Sequence, residues 1–254
     1  MDVPAYLDRI GYTGPTTPDA DTLRAIHRAH MLSVPFENLD IALKRKIVCD
    51  EHAFIGKIVE QRRGGFCYEL NGAFAGLLRA LGFPVMLLSA RVARDDGSVG
   101  PDMDHLALRV DLTEPWLADV GFGDSFVEPL RLQVRTAQVQ GGRGFRIVGR
   151  DDVGRDDELQ MQVGGDNLSW KTEYSFGLKP RQLKEFAAMC EYHQTSPESP
   201  FTRKRISSRA TPEGRITLSG TKLITTRSGV REERILQSEQ EWRDALREQF
   251  GVVL

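Results

Sequence analysis

One cysteine of this chain lies where a glycine-rich loop gives way to a predicted helix. Cys67 follows Arg62-Arg63-Gly64-Gly65, and apolar residues recur after it at helical spacing. The first turn of a helix carries unpaired backbone N–H groups with partial positive charge, and the two arginines add full charges. This setting favours the thiolate, which is the nucleophilic form of cysteine. The sequence therefore predicts that Cys67 is a nucleophile.

The other two cysteines lack these signals. Cys49 lies in a short apolar segment, and Cys190 falls on the apolar face of a helix predicted over residues 180–193. Free cysteine is among the most buried residue types and usually packs as a small apolar group. We therefore expect both to be core residues.

A nucleophilic cysteine needs a base to take its proton and a third group to orient that base. His105 opens a predicted strand, and Asp119 lies inside the otherwise apolar run 116–123, where an unpaired carboxylate is costly to bury. The two strands are expected to form a hairpin. A turn centred near Leu112–Thr113 brings Asp119 opposite or diagonal to His105, whereas one centred near Glu114 separates them. Sequence alone leaves this register open.

With Cys67, His105 and Asp119 in this order, the chain resembles the arylamine N-acetyltransferase family. The motifs that carry the resemblance, beside the strand histidine, are residues 34–39, 63–71, 119–123 and 193–201. The resemblance implies a Cys-His-Asp triad on these three residues, like that of cysteine proteases and transglutaminases. It also implies acetyl-CoA as co-substrate, with no metal and no tightly bound cofactor.

The same resemblance implies a ping-pong reaction. An acetyl group would pass from acetyl-CoA to Cys67 and then to an arylamine, an arylhydrazine or an N-hydroxyarylamine. The positions that match the family's acceptor pocket are Phe36, Val92 and Phe122. The positions expected to admit the pantetheine arm of coenzyme A are Gly121 and Gly123. Ordinary core packing explains a buried strand valine equally well, and glycine near a strand end is also ordinary turn chemistry.

The alternation of apolar residues predicts an α+β fold. The first third is helical, with one helix over residues 22–32 and another that begins at Cys67 and ends before Gly82 and Pro84. The strands predicted after it are residues 85–92, 105–112, 116–120, 145–148, 159–163, 168–176, 215–218, 222–225 and 231–236. Glycine-rich turns are expected at residues 141–142 and 164–167, and the acidic stretch 151–158 is expected to be a solvated loop. A final helix begins at the cap Ser238.

Periodicity leaves a small barrel and a sandwich open for the central strands. The resemblance implies a barrel and divides the chain into three parts. Residues 1–84 would form a helical bundle that carries the nucleophile, residues 85–178 an antiparallel β-barrel that carries His105 and Asp119, and residues 179–254 an α/β lid.

Composition limits the classes of function. The chain has 254 residues, of which 40% are hydrophobic and 28% charged, and its net charge is −2, so nothing favours nucleic-acid binding. Three cysteines without repeating spacing form neither a disulfide framework nor a zinc site, and we expect His27 and His30 to pack rather than bind metal. The N-terminus does not resemble a signal peptide, and no run suits a membrane span. We expect a cytoplasmic protein; whether it forms a homodimer is left open.

Three other functions share some of these features. An amide synthase of the same fold would use the same triad to close an amide on a carrier-bound polyketide. A transglutaminase-like thiol hydrolase would use the same order of residues. A non-enzymatic acyl-CoA-binding or scaffolding protein would leave the set Cys67, His105 and Asp119 without an explanation.

Overall fold

The structure is a computed structural model that describes residues 1–149, 158–164 and 169–254. Residues 151–157 of the acidic stretch lie outside the described residues, as do residues 165–167 of the second glycine-rich turn and residue 168 of a predicted strand. All statements below concern the described ranges.

The first part of the chain is helical, as predicted. Its elements are α1 (Val3–Arg9), α2 (Ala20–Ser33), a short strand β1 (Phe36–Glu37), α3 (Leu39–Ala42), α4 (Glu51–Ile55), a π-helical turn (Gly56–Glu60) and α5 (Cys67–Ala80). The Asp19 side chain caps α2 by accepting a hydrogen bond from the Thr22 N–H. Helix α5 begins at Cys67 and ends just before Gly82, whose φ is +87°. Both predicted helices are therefore confirmed.

The central strands form an eight-stranded antiparallel sheet within the described residues. Its members are β2 (Val85–Val92), β3 (His105–Asp111), β4 (Pro115–Ala118), β5 (Leu130–Arg131), β6 (Gln138–Gln140), β7 (Arg143–Gly149), β8 (Glu158–Gly164) and β9 (Lys171–Gly177). The edge strands β5 and β6 are joined by the side chain of Gln138, which bonds both the N–H and the C=O of Arg131. The sheet is thus a nearly closed barrel, and the sandwich alternative is wrong.

The hairpin of β3 and β4 has the register that brings the two predicted site residues together. Leu108 pairs with Ala118, and Asp111 pairs with Pro115, so the turn is centred on Thr113. One further step along this ladder sets Asp119 across from Ala107 and diagonal to His105. Of the two registers left open by the sequence, the first is correct.

The last part of the chain mixes helices and strands. Its elements are a 3₁₀ turn (Leu183–Phe186), α6 (Ala187–Thr195), α7 (Pro200–Arg203), β10 (Ile206–Thr211), β11 (Gly214–Ser219), β12 (Lys222–Arg227), β13 (Val230–Ile235) and α8 (Glu239–Phe250). Ser238 caps α8, and Gly251 ends it with φ of +68°, as expected. The helix predicted from Pro180 is wrong at its start: Pro180 precedes the 3₁₀ turn, and α6 begins only at Ala187.

A five-stranded sheet joins the two ends of the chain. Its order is β1-β10-β11-β12-β13, so the edge strand β1 comes from the helical part and pairs Phe36 with Ser208. The lid sheet is therefore not built from residues 179–254 alone. The boundaries after residues 84 and 178 stay a prediction.

Three apolar clusters pack the helices and the two sheets against one another. Helix α5 packs on one face of the barrel sheet through Phe74, and β3 contributes Leu108 to the same cluster. The barrel interior is filled by residues such as Phe145. A third cluster lies between the five-stranded sheet and α8 and includes Leu218 and Trp242. Both faces of β3 are covered, so residues that alternate along it are buried on either side.

A buried ionic cluster fixes the loop before α5. Its members are Glu37, Asp40, Lys57, Arg63 and Glu69. The Lys57 ammonium lies 2.7 Å from carboxylate oxygens of both Asp40 and Glu69. Glu69 also accepts a hydrogen bond from the Phe66 N–H at 3.0 Å, at the start of α5. The exposed Arg45 guanidinium also lies 3.8 Å from Asp40 Oδ1, so three carboxylates meet three cations. Burial raises the pKa of Glu69 to about 7 although Lys57 opposes the rise.

The burial of Glu69 predicts a pH-dependent stability. The folded-state pKa of Glu69 lies above its ordinary value of 4.5, so the folded chain holds a proton that the unfolded chain releases between these values. The free energy of unfolding therefore falls as pH rises through this window. Glu69→Gln keeps an oxygen for the Phe66 N–H but cannot ionise. In urea unfolding, the free energy of unfolding of this variant minus that of the parent chain should increase by roughly 3 kcal/mol from about pH 5 to about pH 8.

The matched control is Glu60→Gln, which alters an exposed carboxylate at the end of the π-helical turn. Its stability difference from the parent chain should stay constant across the same pH range. A constant difference for Glu69→Gln as well would contradict the proton assignment.

Candidate active site

The loop that presents Cys67 lies against β1 without space for a side chain. A Cβ on Gly64 would lie 1.9 Å from the Pro35 carbonyl oxygen, and one on Gly65 would lie 2.6 Å from the Glu69 Cβ. The Gly65 carbonyl accepts a hydrogen bond from the Glu37 N–H at 2.9 Å. The glycines therefore permit a close backbone approach that places Cys67 at the first position of α5.

Cys67, His105 and Asp119 lie close together in the interior. The His105 Nε2 lies 2.7 Å from Asp119 Oδ2, and the His105 ring interacts with the Cys67 thiol. The Cys67 sulfur also interacts with the Leu106 backbone N–H. All three side chains are buried. The structure thus brings together the three residues that the sequence singled out.

The Asp119 carboxylate is held from several elements. Its Oδ1 accepts hydrogen bonds from Asn71 Nδ2 at 2.8 Å and from the Gly121 N–H at 2.9 Å. Its own backbone N–H donates to His27 Nε2 at 3.1 Å, while His27 Nδ1 lies 2.8 Å from the Val127 carbonyl. Because Nδ1 faces an acceptor and Nε2 faces a donor, His27 is neutral with its proton on Nδ1. Burial accordingly lowers the pKa of His27 to about 4.

The electrostatics of these three side chains centre on His105. Burial alone would lower its pKa, but the Asp119 carboxylate and the Cys67 thiol raise it to about 10. Burial also raises the pKa of Asp119, yet His105, Asn71 and the Gly121 N–H more than offset it, so the pKa stays below its ordinary value. A buried imidazolium–carboxylate pair is therefore the stable state of the two groups.

The prediction that Arg62 and Arg63 activate Cys67 is wrong. Burial raises the pKa of the Cys67 thiol, and the cation that lowers it is His105. The Arg63 guanidinium is paired with Glu37 and Asp40 inside the ionic cluster, and the Arg62 side chain is 62% exposed. A Cys67 thiolate consequently needs the protonated ring of His105 beside it.

A cavity of about 1170 Å³ opens beside Cys67 and His105. Asp119 does not line it, because that side chain lies behind the His105 ring. The other residues predicted for the site all line the cavity: Phe36, Val92, Gly121, Phe122 and Gly123. The Phe122 ring packs edge-on against His105 with centroids 5.2 Å apart.

Gly121 has a second reason to be glycine. A Cβ there would lie 2.8 Å from the Cys67 Cα and 2.7 Å from Asn71 Nδ2. Its missing side chain lets the loop after β4 approach the Cys67 backbone, whatever occupies the cavity. Gly123 has φ of +88°, a region that favours glycine.

Comparison with known proteins agrees with this geometry. The family model described as N-acetyltransferase matches residues 19–254. The arylamine N-acetyltransferase of Mycolicibacterium smegmatis is 36% identical, over 100% of this chain and 93% of that protein. The arylamine N-acetyltransferase of Escherichia coli K12 is 34% identical, over 97% of this chain and 87% of that protein. The chain belongs to the arylamine N-acetyltransferase family.

The fold agrees with that of solved members of the arylamine N-acetyltransferase family. The structure of the Mycobacterium marinum enzyme in complex with CoA matches with a TM-score of 0.90 at 32% identity, covering 99% of this chain and 93% of that one. The structure of the Salmonella typhimurium enzyme also matches with a TM-score of 0.90 at 32% identity, covering 98% of this chain and 90% of that one. The prediction of an acyltransferase of this family is confirmed.

The cavity contains a second histidine to which the sequence analysis gave no role. His193 on α6 lines the cavity, and its Nε2 lies 3.2 Å from Asp104 Oδ1. Its Nδ1 lies 3.2 Å from the Ser199 hydroxyl oxygen. Asp104 immediately precedes His105, so α6 is fastened to the strand that carries the proposed base. No spacing rule in the sequence links residues so far apart.

Two residues that orient the carboxylate were also missed as functional. Asn71 lies four residues after Cys67, and a polar residue one turn from a cysteine on an otherwise apolar helix face was the available signal. His27 was correctly expected to pack, but nothing in the sequence indicated its hydrogen bond to the Asp119 backbone.

The far part of the cavity is charged. Asp124 Oδ1 lies 2.6 Å from Arg143 Nη1 and 3.0 Å from Arg215 Nε. Two guanidinium groups thus share one carboxylate in the cavity wall. In the part of the chain that the structure describes, no group of three His, Cys, Asp or Glu side chains is arranged to hold a metal ion. No helix within the described ranges is long and apolar enough to cross a membrane.

The glycine loop gives one test of how Cys67 is positioned. Gly64→Ala should lower the free energy of unfolding by about 2 kcal/mol or more, because the new Cβ overlaps the Pro35 carbonyl. Gly56→Ala is the matched control: its Cβ would meet nothing nearer than 3.9 Å, in helical backbone. Urea unfolding of both variants measures the difference. Equal stability of the two would contradict the close approach.

The dependence of Cys67 on His105 gives a second test. In His105→Gln the buried thiol loses its neighbouring cation, so its thiolate fraction falls. Alkylation of Cys67 by iodoacetamide near pH 7, followed by peptide mapping, should slow by at least about tenfold. His52→Gln, on the exposed surface of α4, should leave the rate unchanged. An unaltered rate in His105→Gln would show that the thiolate does not depend on this ring.

Proposed function

We propose that the chain transfers an acetyl group from acetyl-CoA to Cys67 and then to an arylamine, an arylhydrazine or an N-hydroxyarylamine. The observation that supports this reaction is the placement of Cys67 and the His105 ring at one cavity, with His105 hydrogen-bonded to Asp119, in a member of the arylamine N-acetyltransferase family. The proposed catalytic residues are these three.

In the first half-reaction the Cys67 thiolate attacks the carbonyl carbon of the thioester. Asp119 accepts the Nε2–H of His105 and stabilises the imidazolium that accompanies the thiolate. The carbon–sulfur bond to coenzyme A breaks, and the leaving thiolate takes the proton from His105 Nδ1. Backbone N–H groups in the first turn of α5 have no partner within the helix and are proposed to stabilise the oxyanion. Cys67 is left as an acetyl thioester.

In the second half-reaction the amine nitrogen attacks the acetyl carbonyl. His105, now neutral, accepts a proton from this nitrogen through Nδ1. The bond from the acetyl carbon to Cys67 sulfur breaks, which releases the amide and returns the Cys67–His105 pair to its starting proton count. A thioester is higher in energy than an amide, so this step depends on positioning and exclusion of water.

The acceptor is proposed to bind between apolar side chains next to Cys67. Phe36, Val92 and Phe122 line the cavity at this point, and aromatic rings suit an aromatic amine. Phe36 also packs against Phe201 with ring centroids 6.1 Å apart. These contacts support an aryl slot whose walls come from all three parts of the chain.

Coenzyme A is proposed to approach along the same cavity. The M. marinum relative was solved in complex with CoA. Gly121 and Gly123 are proposed to line the path of the pantetheine arm; a Cβ on Gly123 would meet nothing nearer than 3.8 Å, whereas the space at Gly121 is filled by Cys67 and Asn71. The guanidinium groups of Arg143 and Arg215 in the cavity wall suit phosphate groups.

The three predicted parts receive separate tasks in this proposal. Residues 1–84 present the nucleophile, residues 85–178 present the base and its carboxylate, and residues 179–254 cover the cavity. A reducing cytoplasm remains the compartment we propose, because all three cysteines are free thiols.

Intact-mass analysis tests the acyl-enzyme directly. Acetyl-CoA alone should add one acetyl group to the chain, and an arylamine or arylhydrazine should then remove it. Release of acetate without amine would instead indicate a thiol hydrolase. Absence of the adduct with acetyl-CoA would favour an amide synthase that takes its acyl group from a carrier.

Asp119→Asn should lower the rate of this acetylation by about a thousandfold or more. Oδ1 already receives two N–H donors, so the new amide must turn its NH₂ toward His105. That forces the ring proton onto Nδ1, facing the thiol, and removes the base. Asp111→Asn, at the other end of the same hairpin, is the matched control and should acetylate normally. Normal acetylation of Asp119→Asn would remove Asp119 from the mechanism.

A further inference from the structure

The two cysteines outside the triad lie against each other. Cys49 precedes α4 and Cys190 lies in the middle of α6, yet both belong to one core cluster and their thiols interact with each other. Cys49 Sγ also contacts the Leu183 carbonyl oxygen at 3.6 Å, in the 3₁₀ turn that leads into α6. Two residues expected to be separate core cysteines therefore form a pair.

Gln194 clamps the segments that carry this pair. Its Oε1 accepts a hydrogen bond from the Ile47 N–H at 2.7 Å, and its Nε2 donates to the Ile47 carbonyl at 3.0 Å. The same Nε2 contacts the carbonyl and the sulfur of Cys190 at 3.0 and 3.4 Å. The amide thus fixes the backbone two residues before Cys49 against the helix turn of Cys190.

The two thiols differ in access and acidity. Cys49 is half-buried, whereas Cys190 is 1% exposed. Hydrogen bonding from Cys190 lowers the pKa of the Cys49 thiol, against burial and the nearby carboxylates of Asp50 and Glu69. Cys49 raises the pKa of Cys190 in turn. A thiolate forms first on the sulfur that a small oxidant can reach.

We propose that Cys49 and Cys190 are a redox pair that closes to a reversible disulfide. The oxidant is a small disulfide such as oxidised glutathione. The Cys49 thiolate attacks one of its sulfurs and releases one glutathione thiolate, which leaves a mixed disulfide. The Cys190 thiol then loses its proton, attacks Cys49 sulfur and releases the second glutathione thiolate. Two protein thiols become one protein disulfide, and one molecule of oxidised glutathione becomes two of the reduced form.

This bond would connect the first part of the chain to the lid. Cys190 lies one helical turn before His193, which is fastened to Asp104 beside the proposed base. The closed form should therefore restrain α6 over the cavity. Because the bond closes a long loop, we expect the melting temperature of the chain to rise by about 5 °C on oxidation.

The test uses the full chain with Cys67→Ala, so that the triad thiol cannot react. The folded chain is incubated with oxidised glutathione, denatured, alkylated with iodoacetamide and weighed intact. We expect the loss of two hydrogen atoms, no alkylation and the higher melting temperature. Dithiothreitol should restore two alkylatable thiols and the original melting temperature. Two alkylated thiols after oxidation, or a stable glutathione adduct, would overturn the proposal.

Two single variants in the same background separate the roles. Cys190→Ser should keep a glutathione adduct on Cys49, because no resolving thiol remains. Cys49→Ser should leave Cys190 reduced and alkylated only after denaturation. A cooperative thermal transition of each reduced variant establishes that it is folded before oxidation. An adduct on Cys190 in the folded Cys49→Ser chain would reverse the proposed order of attack and overturn it.

Discussion

The Asp119 carboxylate is fully buried. Burying a charge costs free energy, and the surrounding residues are placed so that they offset this cost. A buried charge is tolerated only when donors surround it. Here the donors come from α5 through Asn71, from the following loop through Gly121, and from β3 through His105. Helix α2 joins them through His27, which accepts the aspartate's own N–H. Satisfying one carboxylate therefore fixes the relative positions of two helices and a hairpin.

The chain separates two sets of buried charge that lie close together. Lys57 and Arg63 are ion-paired with three carboxylates, and these pairs fix the loop before Cys67. Positive charge for the thiolate comes instead from His105, whose pKa Asp119 raises. This division leaves the protonation state of Cys67, the proposed nucleophile, dependent on the His105 ring. Arg63 lies close to Cys67 in the sequence and was expected to favour its thiolate. In the structure its guanidinium is instead paired with Glu37 and Asp40.

Much of the fold and of the proposed triad could be predicted from local signals. The α5 start at Cys67, the strand β2 and the capped helix α8 follow from glycine, periodicity and capping residues. Strand β10 could not be predicted this way, because Ile206–Thr211 has little apolar alternation and is defined by pairing on both sides. The same holds for contacts such as His27 with Asp119, which depend on tertiary packing. The sequence also left the register of the β3–β4 hairpin undecided, and the strand pairing in the structure determines it.

The pairing of β1 with β10 has a consequence for how the chain reaches this state. Asn38 accepts a hydrogen bond from the Ile206 N–H, 168 positions away along the chain, and donates to carbonyls of Phe201 and Lys204. During synthesis from the N-terminus, β1 has no partner strand until residues 206–211 have been made. Folding of the N-terminal part alone therefore leaves a bare strand edge and the Phe36 wall of the cavity incomplete. The cavity is complete only after β10 has paired with β1.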